Sequence, residues 1–140
     1  MISDSRPILD ILVVDDEPGF RNLLQWELEY RGMRVQTASN GVEALAKAAT
    51  NAFDAIITDI TMPEMDGLRF LENIKRRAPQ TPVIIATGFG AIETAVYAIK
   101  EGAFDFVLKP YDLEYLISQV RQAVARVNER RAPGRTGHGQ

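Results

Sequence analysis

Short, β-branched apolar runs alternate with longer segments of helical periodicity along almost the whole chain, and that alternation restricts the fold more than any other feature. The run Ile11 to Val14 is apolar at consecutive positions, which suits a strand covered on both faces. Ala55 to Thr58, Val83 to Ala86 and Phe104 to Leu108 are runs of the same kind, whereas Met33 to Ala38 alternates more and is expected nearer a sheet edge.

Between these runs lie five amphipathic segments with recognisable ends. Pro18 follows Asp16 and Glu17 at a first helical turn, where a proline is tolerated and acids favour the helix dipole; Phe20, Leu23, Leu24 and Leu28 then form a stripe that leaves Trp26 aside. A second helix follows Ser39 and carries Val42, Leu45 and Ala49. Asp66 caps a third, with Leu68, Leu71 and Ile74 inward and Lys75, Arg76 and Arg77 closing it. The fourth carries Ile92, Ala95, Val96 and Ile99 and stops at Gly102. Asp112 caps the fifth, in which Leu113, Leu116, Ile117, Val120, Val124 and Val127 recur at helical spacing. Five strands alternating with five helices over short connections imply an α/β fold, a doubly wound parallel sheet with right-handed crossovers and helices on both faces. The pattern stops near Asn128, so residues 1–128 read as one domain and 129–140 as a flexible tail or truncated linker.

Composition excludes several classes of chemistry. A length of 140 residues suits one domain with a real core, and 46% hydrophobic with 25% charged residues is usual for a globular chain. Without cysteine there is no disulfide, thiolate metal site or thiol nucleophile. The one histidine, His138, sits in the Gly-rich end and reads as a solvated tail residue. A net charge of -3 gives no general attraction to nucleic acid or anionic lipid, so direct DNA binding is not expected. The start, MISDSRPILD, lacks the charged and apolar regions of a signal peptide, and no segment approaches ~20 apolar residues; a cytoplasmic location without membrane contact is expected.

Chemistry concentrates at the ends of the apolar runs. Asp15 and Asp16 follow the first, Asp59 the third, Thr87 the fourth and Lys109 the fifth, so in a parallel sheet all would meet at its carboxyl edge, where open α/β sheets bind ligands. Taken singly, each has an ordinary reading: turn or N-cap residues for Asp15 and Asp16, a strand-end hydroxyl for Thr87, a solvent-reaching charge for Lys109. Asp59 is harder to dismiss, because a carboxylate ending a buried run needs partners. Two like charges 4 Å apart repel by ~4 kcal/mol at an effective dielectric near 20, which a hard dication and Lys109 would offset. Carboxylate oxygens with so few protein ligands favour Mg²⁺ over Ca²⁺. Such a site is prepared for a phosphoryl group, and an aspartate can be the nucleophile that takes it.

The phrases ILVVDDEPGF, ITDITMPEMDGL, VIIATG and GAFDFVLKP, in that order and at those intervals, closely resemble the receiver domains of bacterial two-component response regulators. The resemblance covers roughly residues 8 to 128 and implies a flavodoxin-like fold with strand order 2-1-3-4-5. It makes Asp59 the phosphoacceptor and Asp15 and Asp16 the acid pair. It implies that Asp16, Asp59 and the main-chain carbonyl of Thr61 contact Mg²⁺ directly, with Asp15 acting largely through water. Lys109 matches the lysine that pairs with the acyl phosphate, and Thr87 the hydroxyl drawn to a phosphoryl oxygen. Pro110 matches a proline usually preceded by a cis bond, the one context where cis is cheap. The switch aromatic falls on Phe106, where many relatives carry tyrosine; lacking a phenol, it is expected to favour the buried rotamer.

The resemblance also implies a signalling phosphoacceptor that assists its own phosphorylation and dephosphorylation, rather than an enzyme. Its expected partners are a sensor histidine kinase or phosphotransfer protein and a downstream effector domain, reached through the fourth helix, last strand and fifth helix, with homodimer formation on phosphorylation as a further outcome. Tyr97 and Tyr115 are expected to be exposed on that surface. The stretch ATGFGAIETAVYAIKEGAFDFVLKPYDLEYL is most similar to receivers of NtrC-type regulators. Two other classes compete. A haloacid-dehalogenase-like phosphatase needs an Asp-x-Asp pair where this chain has Asp15 and Glu17, and leaves Asp59 unexplained. A degenerate receiver acting as a binding module would lack the acceptor, an acid or the lysine, and none is missing.

Overall fold

The computed structural model describes residues 7–62 and 65–131. The strands are β1 (Asp10–Val14), β2 (Arg34–Ala38), β3 (Ala55–Thr58), β4 (Val83–Thr87) and β5 (Asp105–Leu108), and each is followed by a helix: α1 (Pro18–Tyr30), α2 (Gly41–Thr50), α3 (Gly67–Arg77), α4 (Ile92–Lys100) and α5 (Leu113–Arg131). All pairings are parallel, in the order β2-β1-β3-β4-β5. Order therefore reverses between β1 and β3, and the carboxyl ends of those two strands flank the switch point. The alternating run Met33 to Ala38 does form an edge strand.

Because successive strand residues point to opposite faces, the central strands feed two core layers. Ile11 and Val13 of β1, with Ile57 and Ile84, meet Leu24 and Leu28 of α1 and Leu116, Ile117, Val120 and Val124 of α5. Leu12, Val14, Ile56, Val83 and Ile85 point the other way, onto Ala44 of α2, Phe70, Leu71 and Ile74 of α3, and Ala98 of α4.

The helix ends follow local chemistry. Pro18 opens α1, and the Asp66 side chain accepts from the Arg69 N–H at the start of α3. The cap of α2 is Asn40: its side-chain oxygen accepts from the Glu43 N–H, while the Glu43 carboxylate accepts from the Ser39 N–H and hydroxyl. Asp112 accepts from the N–H groups of Glu114 and Tyr115 before α5. Gly102 ends α4 with φ +108°, a conformation that would strain any other residue.

Several helix faces differ from the periodic reading. Leu23, Val42 and Ala49 are exposed, and so are Ile92, Val96 and Ile99. In α2 the inward face is Gly41, Ala44, Leu45 and Ala48; in α4 it is Ala91, Thr94, Ala95 and Ala98. Each is a helical stripe of mainly small residues lying beside a bulkier one. The small stripe lets the helix lie close to the sheet and turns the larger side chains outward. The helix α5 continues to Arg131, past the end expected near Asn128, and the remainder of the expected tail lies outside the described residues. Among the described residues, no helix is long and apolar enough to cross a membrane.

Candidate functional site

The parallel register brings the first and third strand tips together. Asp59 N–H donates to the Val14 carbonyl at 2.9 Å, which continues the β1–β3 ladder and sets Asp59 beside Asp15. Asp15 in turn donates its N–H to Ala38 across the other edge of β1. Asp15 and Asp59 are buried, 6% and 5% exposed, while Asp16 faces solvent. Asp15, Asp16 and Asp59 each offer a carboxylate oxygen, and these oxygens lie within 4.8 Å of one another.

Lys109 reaches this cluster from the end of β5. Its Nζ donates to Asp15 Oδ2 at 2.7 Å and to Asp59 Oδ2 at 3.0 Å, and its side chain is only 7% exposed. The Lys109–Pro110 peptide is cis, as expected. The other oxygen of Asp59, Oδ1, accepts from the Ile60 N–H at 2.6 Å and the Thr61 N–H at 3.3 Å. Thr61 therefore touches the acceptor through its N–H. The Thr87 hydroxyl, fully buried at the end of β4, accepts from the Phe89 N–H at 3.2 Å and so ties down the loop that leads to α4. Phe106 lies on β5, half-buried against the layer that contains Ile85 and Ala98.

One ammonium is shared between two buried carboxylates, and the electrostatics reflect that shortage. Burial pushes the Asp15 carboxyl above its ordinary value, and the hydrogen bonds from Lys109 and the Glu17 N–H only partly pull it back. Burial also works to lower Lys109, but its bonds to Asp15 and Asp59 outweigh this and leave the ammonium above the usual lysine value. With all groups ionised, three carboxylates and one ammonium leave the cluster two negative charges in excess, matching one dication. The donor set is all oxygen, which fits a hard ion such as Mg²⁺.

Three contributors were not legible as site residues. Phe20, on the first turn of α1, was grouped with a core stripe, yet its ring centroid lies 4.2 Å from Lys109 Nζ. Arg21 donates to the Asp15 carbonyl at 2.9 Å, and Glu17 Oε1 lies 3.7 Å from Lys109 Nζ. The available signal was position, since all three follow the acid pair within a helical turn or so.

Comparison with known proteins agrees with this geometry. Residues 11–121 match the family described as response regulator receiver domain. The chain is 41% identical over 125 residues to the transcriptional regulatory protein ZraR of Klebsiella oxytoca, covering 89% of this chain but 28% of that protein. A receiver domain protein from Clostridium thermocellum superposes with a TM-score of 0.79 at 37% identity, covering 85% of this chain and 96% of that one. The solution structure of the beryllofluoride-activated NtrC4 receiver domain dimer gives 0.80 at 37% identity, covering 84% and 98%. The chain thus spans little more than a quarter of the length of the curated relative it matches, and the part it spans is the receiver. A matching family over most of the chain, relatives of the NtrC type at about 40% identity and the same fold lead to one conclusion: this chain belongs to the response regulator receiver family and is a receiver domain of a two-component response regulator of the NtrC type.

Proposed function

We propose that Asp59 accepts a phosphoryl group from the phosphohistidine of a sensor kinase or phosphotransfer protein, and that the change is passed to the surface formed by α4, β5 and α5. The observation that carries this reading is the shared ammonium: Lys109 Nζ bonds at once to Asp59 and to Asp15 in a buried cleft at the switch point. A carboxylate oxygen of Asp59 forms the new bond to phosphorus as the phosphorus–nitrogen bond to the donor imidazole breaks, with the electron pair leaving on that nitrogen. Lys109 and the N–H groups of Ile60 and Thr61 are then placed to meet the added negative charge. Asp15, Asp16, Asp59 and the Thr61 carbonyl would hold Mg²⁺, which when bound supplies positive charge to the phosphoryl oxygens.

The route outward starts at Thr87. A phosphoryl oxygen that accepts the hydroxyl proton draws Thr87 Oγ towards the acceptor and away from the Phe89 N–H that it now satisfies, and the released segment is the loop that leads into α4. Only Ala98 of α4 is fully in the core, so the helix can be biased by a few kcal/mol. Ile92, Val96, Ile99 and Leu108 are already exposed there, and Tyr97 and Tyr115 are 42% and 46% exposed, as expected. Such a patch suits an effector or a second receiver, and the similar NtrC4 receiver domain is a dimer in its beryllofluoride-activated form.

Incubating the chain with a small phosphodonor and Mg²⁺ is expected to label it once per molecule, with a base-labile group, and Asp59→Asn is expected to take none. Repeated turnover of the donor with no retained label would indicate a phosphatase instead; no reaction by the native chain would indicate an inert module. A second expectation concerns Phe89, which is half exposed two residues after Thr87 and whose side chain has no polar group to offer an attacking water. Autodephosphorylation should be faster in Phe89→Glu than in the native chain, and equal rates would end that idea.

A further inference from the structure

We infer that Phe20 is a positioning residue for Lys109: the face of its ring confines the ammonium over Asp15 and Asp59, where the arriving phosphoryl group must meet it. The inference rests on the phosphoacceptor reading above and names a part of that site which no acid, hydroxyl or lysine supplies.

Three kinds of neighbour surround Lys109 Nζ. Two carboxylate oxygens take directed hydrogen bonds, from Asp15 at 2.7 Å and Asp59 at 3.0 Å. A third carboxylate, Glu17 Oε1, lies 3.7 Å away on a side chain that is 63% exposed, and so offers the ammonium an alternative partner towards solvent. The ring of Phe20 is a further neighbour, its centroid 4.2 Å from Nζ. An aromatic face attracts a cation through its quadrupole, and the attraction grows as water is removed. Here the lysine side chain is 7% exposed. Tyr111 backs the ring, with centroids 6.2 Å apart and planes at 51°, and its own phenol is buried enough to be pushed above the usual tyrosine value, hence neutral. Phe20 and Tyr111 thus form an uncharged wall on one side of the ammonium.

The placement follows from the chain's own pattern. Pro18 starts α1 two residues after the acid pair, and Arg21 is drawn back onto the Asp15 carbonyl. Phe20 is then carried over the carboxylate cluster on the first turn rather than into the middle of the core. A leucine would fill nearly the same space with no π face, so bulk and electrostatics can be separated.

The test compares the native chain with Phe20→Leu and Phe20→Tyr, using acetyl phosphate with Mg²⁺ as the probe. Labelling of Asp59 by Phe20→Leu is expected to be about fivefold slower, to the same final extent, while Phe20→Tyr stays within about twofold. In proton NMR of the unphosphorylated native chain, the ε-methylene protons of Lys109 should be shifted upfield by the ring, should stay so in Phe20→Tyr, and should return to ordinary values in Phe20→Leu. Native rates in Phe20→Leu, or unshifted lysine protons in the native chain, would overturn the inference. The proton shift is read on the native protein, so a variant that fails to fold leaves the test standing. If the native chain itself takes no label, the phosphoacceptor reading falls and this inference with it; if it labels and Phe20→Leu labels equally fast, only this inference falls.

Discussion

Replacing Gly67 by alanine is expected to destabilise the protein by about 3 kcal/mol and to impair phosphorylation beyond the loss of stability. Helix propensity alone predicts the opposite sign, since alanine is better than glycine in a helix by up to ~1 kcal/mol. Geometry decides against propensity here. A Cβ at Gly67 would sit 1.9 Å from the Asp59 carbonyl oxygen and 2.8 Å from both the Asp59 carbonyl carbon and Ile60 Cα. All three are backbone atoms and cannot swing aside. The Gly67 N–H also donates to the Ile60 carbonyl at 2.8 Å, so the first residue of α3 is pressed directly against the segment that carries the acceptor. Relief requires moving either α3, which holds Phe70, Leu71 and Ile74 in the core, or Asp59 itself. Urea denaturation reads the first loss, and Asp59 labelling at a temperature where the variant remains folded reads the second. Native stability and native labelling together would show that the two backbones are not in contact.

Lys109→Met should produce the other large effect, a protein whose stability depends on divalent cations. Removing one partner of a buried pair leaves the other charge uncompensated and costs roughly 3 kcal/mol; here two carboxylates, Asp15 and Asp59, lose the same partner. In chelator the variant should therefore unfold at much lower urea than the native chain. A cation that binds only the folded form, present at a hundredfold excess over its dissociation constant, restores about 2.7 kcal/mol. Mg²⁺ should thus stabilise the variant more than the native chain, whose lysine already neutralises part of the cluster. Acid should help as well. Burial raises Asp15 in the native protein, and without Lys109 nothing opposes that rise except the Glu17 N–H. A carboxyl whose folded value lies above its unfolded value binds its proton more tightly when folded, so stability falls as pH climbs through that interval. The deficit of Lys109→Met against the native chain should accordingly shrink on acidification toward pH values just above the ordinary aspartate range. A variant as stable as the native chain in chelator at neutral pH would mean that the carboxylates do not depend on the ammonium.

The two kinds of signal in the sequence differed in what they could specify. Strands were legible nearly to the residue: the run Ala55 to Thr58 matches β3, and Val83 to Ala86 falls one residue short of β4. A strand buried on both faces leaves no doubt about which side is apolar, because both are. Helix faces were less legible. In α4 the stripes Ile92–Val96–Ile99 and Ala91–Ala95–Ala98 lie side by side, and periodicity cannot say which is pressed to the sheet. Size misled here, because close approach selects the smaller side chain. At the site, the acids and the lysine could be placed because each ends an apolar run. Phe20, Glu17 and Arg21 could not, because their role depends on how tightly α1 turns over the cluster, a three-dimensional fact with no separate mark in the chain.

The outward stripe of α4 has a consequence for how such a domain can diversify. Ile92, Val96 and Ile99 hold no part of the interior, and exchanges at surface positions of this kind usually change stability by no more than ~0.5 kcal/mol. Their identities are free to drift without unfolding anything, whereas Ala98 beneath them is not. One scaffold can therefore be re-addressed by rewriting a few letters on a single helix, leaving the chemistry at the carboxyl edge of the sheet untouched.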